Sequence, residues 1–274
     1  MTLIITEVSE DFGCVVVGDS AVTVGKNVVF GAEKIHYSSA SNIGFAIWGN
    51  ACFSGRRVDE ILSEFAESLG ESETPRSAGK RLAGLLNQLA TADGRDWIAV
   101  RGGVHICGYE KSVPVLFHVH TGGEPPEPQG PFMLHEDFPD ATAGFHLRNG
   151  YYKQFSGLYE GMEHYVNHLA QLGYEWPTKF VEDRVSYYSI MVNTIAQTLE
   201  ASRRLQSVGG LVSALAFNRN GLQVDKRVPR GTEGFCIAQS ASSASFAEAP
   251  SNPSIERATT SGLRPLAAAA HVKR

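Results

Sequence analysis

Four residues near the start of the chain have the types that nucleophilic attack on a carbonyl needs: Thr2 directly after Met1, then Asp19, Lys34 and Gly49. A threonine hydroxyl is a weak nucleophile and needs a base. Removal of Met1, expected because Thr2 is small, would expose an α-amine. Its reference pKa is roughly 7.7–8.0, so a useful fraction is neutral at physiological pH. A lysine ammonium beside the hydroxyl lowers the hydroxyl pKa, and a carboxylate holds that lysine in place. Taken singly, each residue has an ordinary role. Asp19 would serve as a turn or cap residue, Lys34 as a solvated strand lysine, and Gly49 as a strand-end glycine. Their order along the chain is what sets them apart.

The surrounding pattern supplies elements to carry them. Residues 3–8 and 12–18 are apolar, β-branched runs joined by Ser9-Glu10-Asp11, which predicts a hairpin with Thr2 at its start and Asp19 at its end. Residues 28–30 and 33–37 read as a second short pair, followed by a strand over 43–48. Apolar residues at helical spacing predict helices over 55–69, capped by Ser54, and over 75–92. A strand pair over 97–108 and 113–120 is expected to begin a second sheet, and the proline-rich stretch 122–140 to form a loop. A strand at 141–144, helices over 160–172 and 182–204, strands at 211–217 and 222–228 around an Asn218–Gly221 turn, and a last strand at 231–238 complete the pattern. The expected organisation is a domain over 1–238 and a disordered tail over 239–274, rich in Ser, Ala and Pro.

Residues 2–51 resemble the N-terminal half of a proteasome β-type subunit, and most of all the bacterial homologue of the heat-shock-locus V type. The matching pieces are Thr2, Gly18-Asp19-Ser20, Thr23-Val24-Gly25, Glu33-Lys34-Ile35 and Gly44-Phe45-Ala46-Ile47-Trp48-Gly49. The resemblance implies an N-terminal nucleophile (Ntn) hydrolase of α+β class, an αββα sandwich of two antiparallel sheets between two helix layers. It implies a threonine endopeptidase with Thr2 as nucleophile, Lys34 and Asp19 as its partners, and a Gly49 backbone N–H in the oxyanion hole. It further implies a homo-oligomeric double ring, a peptide or unfolded-protein substrate, an ATPase unfoldase as partner, and no cofactor or metal. Two positions depart from the family pattern. Gly144-Phe145-His146 stands where a Gly-Ser-Gly turn is expected, with Ser156 as a substitute further along. Leu205 and Val208 stand where an aspartate and a serine are expected, with Ser207 one residue off. These departures favour a rival reading as a non-catalytic ring subunit. A second rival is an Ntn amidase acting on a small amide.

Composition narrows the partners. A net charge of −5 and a pI near 6.0 argue against nucleic acid. No apolar run reaches membrane-spanning length, and the N-terminus lacks the pattern of a signal peptide. Four scattered cysteines, Cys14, Cys52, Cys107 and Cys236, read as buried thiols of a cytoplasmic protein. His118 and His120 share a strand face, but no third ligand stands at metal-binding spacing.

Overall fold

A computed structural model describes residues 2–24, 27–49, 52–53, 55–92, 102–121, 131–135, 151–157, 180–201 and 208–228. Strands β1 (Leu3–Ser9) and β2 (Gly13–Asp19) form the expected hairpin. Strand β3 (Ala21–Val24) pairs with β4 (Asn27–Gly31). Strand β5 (Ile35–Ser38) pairs with β6 (Ile43–Gly49). A small ribbon, β7 (Cys52–Phe53) with β8 (Arg56–Arg57), leads into α1 (Val58–Glu67) and α2 (Pro75–Ala92). Then come β9 (Gly102–Glu110), β10 (Val113–Thr121), β11 (Phe132–His135), β12 (Tyr151–Gly157), α3 (Val181–Ala201), β13 (Val212–Asn218) and β14 (Gly221–Lys226). One antiparallel sheet has the order β12-β1-β2-β13-β14, and the other β11-β10-β9-β6-β5.

Alternation along the central strands explains why their sequences are apolar almost throughout. Leu3, Ile5, Val15, Val17, Ala214 and Ala216 point to one side of the first sheet and pack with Tyr188, Met191 and Val192 of α3. Ile4, Cys14, Val16, Leu215 and Phe217 point to the other side, where they meet Ile35, Ala46, Cys107 and Leu116 of the second sheet. A strand covered on both faces has no solvent face to encode, so the period-two polar pattern disappears. On the far side of the second sheet, Phe45, Ile47, Val104 and Ile106 pack with Ile61, Leu62 and Phe65 of α1 and Leu82 and Leu86 of α2. A polar anchor fixes α3. Glu7, fully buried on β1, accepts a hydrogen bond from the Tyr188 hydroxyl at 2.8 Å and an ion pair from Arg184 at 3.4 Å.

Several expectations are corrected. The expected αββα sandwich is corrected to a β-rich architecture, because fourteen strands stand against three helices among the described residues. Strand β4 turns back on β3 rather than pairing with β5. Strands β9 and β10 extend the sheet of β6 instead of starting another. Helix α1 begins at Val58, because Gly55 has a φ of +73° and Arg56–Arg57 are held in a ribbon. Cys14 and Cys107 are free and buried, and Cys236 lies outside the described residues. Contacts divide the chain into units Met1–Ala238 and Gln239–Arg274. The second unit lies outside the described residues, as do the expected helix over 160–172 and the strands at 141–144 and 231–238. Among the described residues, no helix is long and apolar enough to cross a membrane.

Candidate active site

The β1–β2 hairpin puts its two ends together, so Thr2, just ahead of β1, meets Asp19 at the close of β2. The β4–β5 connection brings Lys34 between them. Lys34 Nζ donates to Thr2 Oγ1 at 2.9 Å, to Asp19 Oδ1 at 3.1 Å and to the Ala21 carbonyl at 2.6 Å, which uses all three of its donors. Asp19 is fully buried and has further partners of its own. Its Oδ1 accepts the Leu3 N–H at 2.9 Å, and its Oδ2 accepts the Gly209 N–H at 3.1 Å. The carboxylate thus ties together the first residue of β1, the lysine and the segment that enters β13.

Burial sets the electrostatics. Lys34 is 3% exposed, and loss of solvent pushes its pKa below the ordinary lysine value, with the adjacent Asp19 carboxylate opposing that shift. A cation so placed, 2.9 Å from the hydroxyl of the buried Thr2, stabilises the alkoxide form of that hydroxyl.

Of the residues expected from sequence, Thr2, Asp19 and Lys34 come together in one hydrogen-bonded group. Gly49 stands at the end of β6 with a φ of +90°, opposite Gly102, and among the described residues no hydrogen bond joins it to that group. The connection is through the backbone two residues earlier, where the Ile47 N–H donates to the Lys34 carbonyl at 2.9 Å. Ser156 lies on β12 opposite Ile4 of β1. Phe145, Leu205 and Ser207 lie outside the described residues. Val208 is fully buried in the apolar core beneath α3, so no hydroxyl occupies that position.

Sequence reasoning missed three supports. The Gly209 N–H and the Ala21 carbonyl are backbone groups and leave no mark in residue types. Asp59, read as part of a solvent face, is buried: it takes the Arg57 guanidinium at 2.9 Å and the Glu33 N–H at 3.2 Å, immediately before Lys34. Opposite charges two residues apart at a helix start were the available signal. Among the described residues, no group of three or more histidine, cysteine, aspartate or glutamate side chains is placed to hold a metal ion.

No family model and no curated protein matches the chain. Solved structures do. Anbu (ancestral β-subunit) from Yersinia bercovieri aligns with a TM-score of 0.52 at 15% identity, over 87% of this chain and 90% of that one. The Anbu (Gly-1) mutant from Hyphomicrobium sp. strain MC1 aligns with a TM-score of 0.50 at 15% identity, over 84% and 87%. These findings correct the resemblance to proteasome subunits of the heat-shock-locus V type. Three-residue pieces such as Gly18-Asp19-Ser20 and Glu33-Lys34-Ile35 place a few charges and do not single out one family. The fold of this chain is similar to that of the Anbu ancestral β-subunits.

Proposed function

We propose that this chain is a proteasome-like subunit of Ntn type and acts as a threonine peptidase. The observation that carries the reading is the buried contact of 2.9 Å from Lys34 Nζ to Thr2 Oγ1, with Asp19 on the same ammonium. With Met1 removed, the Thr2 α-amine takes the hydroxyl proton as Oγ1 attacks a peptide carbonyl, and Lys34 stabilises the developing alkoxide. A backbone N–H at Gly49 receives the tetrahedral oxyanion. The amine returns the proton to the leaving nitrogen as the C–N bond breaks. Water then hydrolyses the Thr2 ester by the same proton route. The substrate class is a peptide or an unfolded protein, the catalytic unit is 1–238, and the subunits assemble into a ring.

The test is a mutant series assayed for peptide hydrolysis. Thr2→Ala and Lys34→Ala abolish turnover, while Thr2→Ser keeps part of it because hydroxyl and amine both remain. A chain that retains Met1 is silent with every side chain intact, because its base is locked in a peptide bond. Equal rates for retained and processed N-termini overturn the mechanism. A second reading, a non-catalytic ring subunit, is favoured by the buried Val208 at the expected serine position. It predicts no turnover from processed wild-type protein.

A further inference from the structure

Four histidines stand together on neighbouring strands of the second sheet. His105 of β9 and His135 of β11 are both register partners of His118 on β10, and His120 lies two residues further along the same face. Their rings follow one another at 4.8 Å (His105 to His118), 4.4 Å (His118 to His120) and 3.6 Å (His120 to His135). His105 Nδ1 lies 2.9 Å from the Thr6 hydroxyl of the first sheet. Burial holds the His105 imidazole well below the ordinary histidine range, and His118 and His120 push it the same way. Charge on one ring therefore opposes charge on the next.

The array ends at Trp48. The indole Nε1–H donates to His118 Nε2 at 2.8 Å. Trp48 belongs to β6 and His118 to β10, with β9 between them, and the residue of β9 opposite Trp48 is Gly103. A Cβ on Gly103 would lie 2.7 Å from His118 Nε2 and 2.8 Å from Trp48 Nε1. The missing side chain is what allows the indole to cross β9. Trp48 also precedes Gly49, whose φ of +90° suits glycine alone. The Trp48 carbonyl and the Gly49 N–H share one rigid peptide plane, so anchoring the Trp48 side chain restrains the direction of that N–H.

We propose that the Trp48–His118 hydrogen bond positions the Gly49 N–H for the oxyanion, and that protonation of His118 at Nε2 releases it. This rests on the reading of Gly49 as the oxyanion donor. Nε2 accepts only while it keeps a lone pair; once protonated, both ring nitrogens are donors and the indole N–H faces another N–H. His118 is a positioning residue, and the titratable groups facing it among the described residues are His105, His120 and His135.

The sequence offers a reporter that does not depend on activity. Of the three tryptophans, only Trp48 precedes a glycine; Trp97 precedes Ile98 and Trp176 precedes Pro177. Labelling tryptophan carbonyls with carbon-13 and glycine amides with nitrogen-15 therefore isolates one signal, the Gly49 amide. In the wild type this signal moves as the pH is lowered from about 8, where an ordinary imidazole is neutral. In His118→Gln it keeps its high-pH position throughout, because the amide oxygen accepts from the indole without titrating. In His118→Leu it sits near the low-pH position throughout. Peptide hydrolysis by His118→Leu drops about tenfold in kcat with KM nearly unchanged, less than the roughly 100-fold or more of deleting a donor outright, and His118→Gln restores most of it. A Gly49 signal in His118→Leu that matches wild type at about pH 8 overturns the proposal. So does a displaced signal with unchanged kcat. If even wild-type protein fails to hydrolyse peptides, the peptidase reading falls, while the Gly49 signal still decides whether His118 controls that N–H.

Discussion

Replacing Asp19 by asparagine tests the electrostatics of the site most sharply. Asp19 Oδ1 lies 3.1 Å from Lys34 Nζ, and both groups are almost fully removed from solvent. At an effective dielectric of about 20, that separation corresponds to an attraction of about 5 kcal/mol. Asparagine keeps one acceptor oxygen, which serves either the Leu3 N–H and Lys34 side or the Gly209 N–H side; its NH₂ group then faces a donor on the other. Breaking a buried pair from one side costs about 3–5 kcal/mol, mostly because the remaining charge is stranded. Lys34 has a way out, since it can lose its proton. Its folded pKa is already below the ordinary lysine value through burial, and Asp19 is what resists that shift. In Asp19→Asn it falls further. Between that lowered value and the unfolded value the unfolded chain binds more protons, so the variant gains stability as pH rises. The destabilisation is thus largest near about pH 6 and shrinks toward about pH 9 as the neutral amine stops needing a counter-charge. Urea unfolding of both proteins across this range measures it. A pH-independent difference, or one below about 1 kcal/mol, refutes the argument that Asp19 holds a buried cation.

Other perturbations probe the supports. Asp59→Ala takes the carboxylate away from the buried Arg57 and from the Glu33 N–H ahead of Lys34, so it costs about 3–5 kcal/mol in urea unfolding and lowers kcat more than KM. Phe217→Ala empties a fully buried site between the sheets, against Tyr37 at 5.1 Å, and costs about 3–5 kcal/mol by the same measurement. The pH–rate profile of wild-type peptide hydrolysis has an alkaline limb below the ordinary lysine value, because Lys34 must stay protonated and burial lowers its pKa. Asp19→Asn moves that limb to lower pH.

The parts of this structure that local chemistry specifies were legible in the sequence. Strands β1 and β2 declare themselves through β-branched runs flanking Ser9-Glu10-Asp11. Helix α2 starts at Pro75, whose missing N–H belongs at the first helical position. Thr2, Asp19 and Lys34 could be grouped because the resemblance supplied their order along the chain, and their side chains suit one another chemically. Non-local pairing was not legible. Nothing in residues 27–31 says that they return to β3, and nothing in β9 says that it flanks β6. Each is decided by which edge is free once the sheets meet. The fold class was drawn from the resemblance and not from residue pattern, and it gave way to a β-rich architecture among the described residues. Asp59 was misread because an acid in the first turn of a helix is ordinarily a solvated favourable charge. Here the β7–β8 ribbon folds Arg57 over it and closes it off.

The central claim is that Thr2 acts with its own free amine, and one mass measurement addresses it directly. An epoxyketone peptide closes a ring only on a residue that offers both a hydroxyl and a neighbouring primary amine, so it distinguishes this mechanism from that of an ordinary hydroxyl nucleophile. The chain is treated with the reagent, and intact mass and peptide mapping locate any adduct. The account predicts an N-terminus lacking Met1, one reagent per chain, and the adduct on Thr2, absent from Lys34→Ala. Processed protein that takes up no reagent, or an adduct that forms equally on chains retaining Met1, contradicts it.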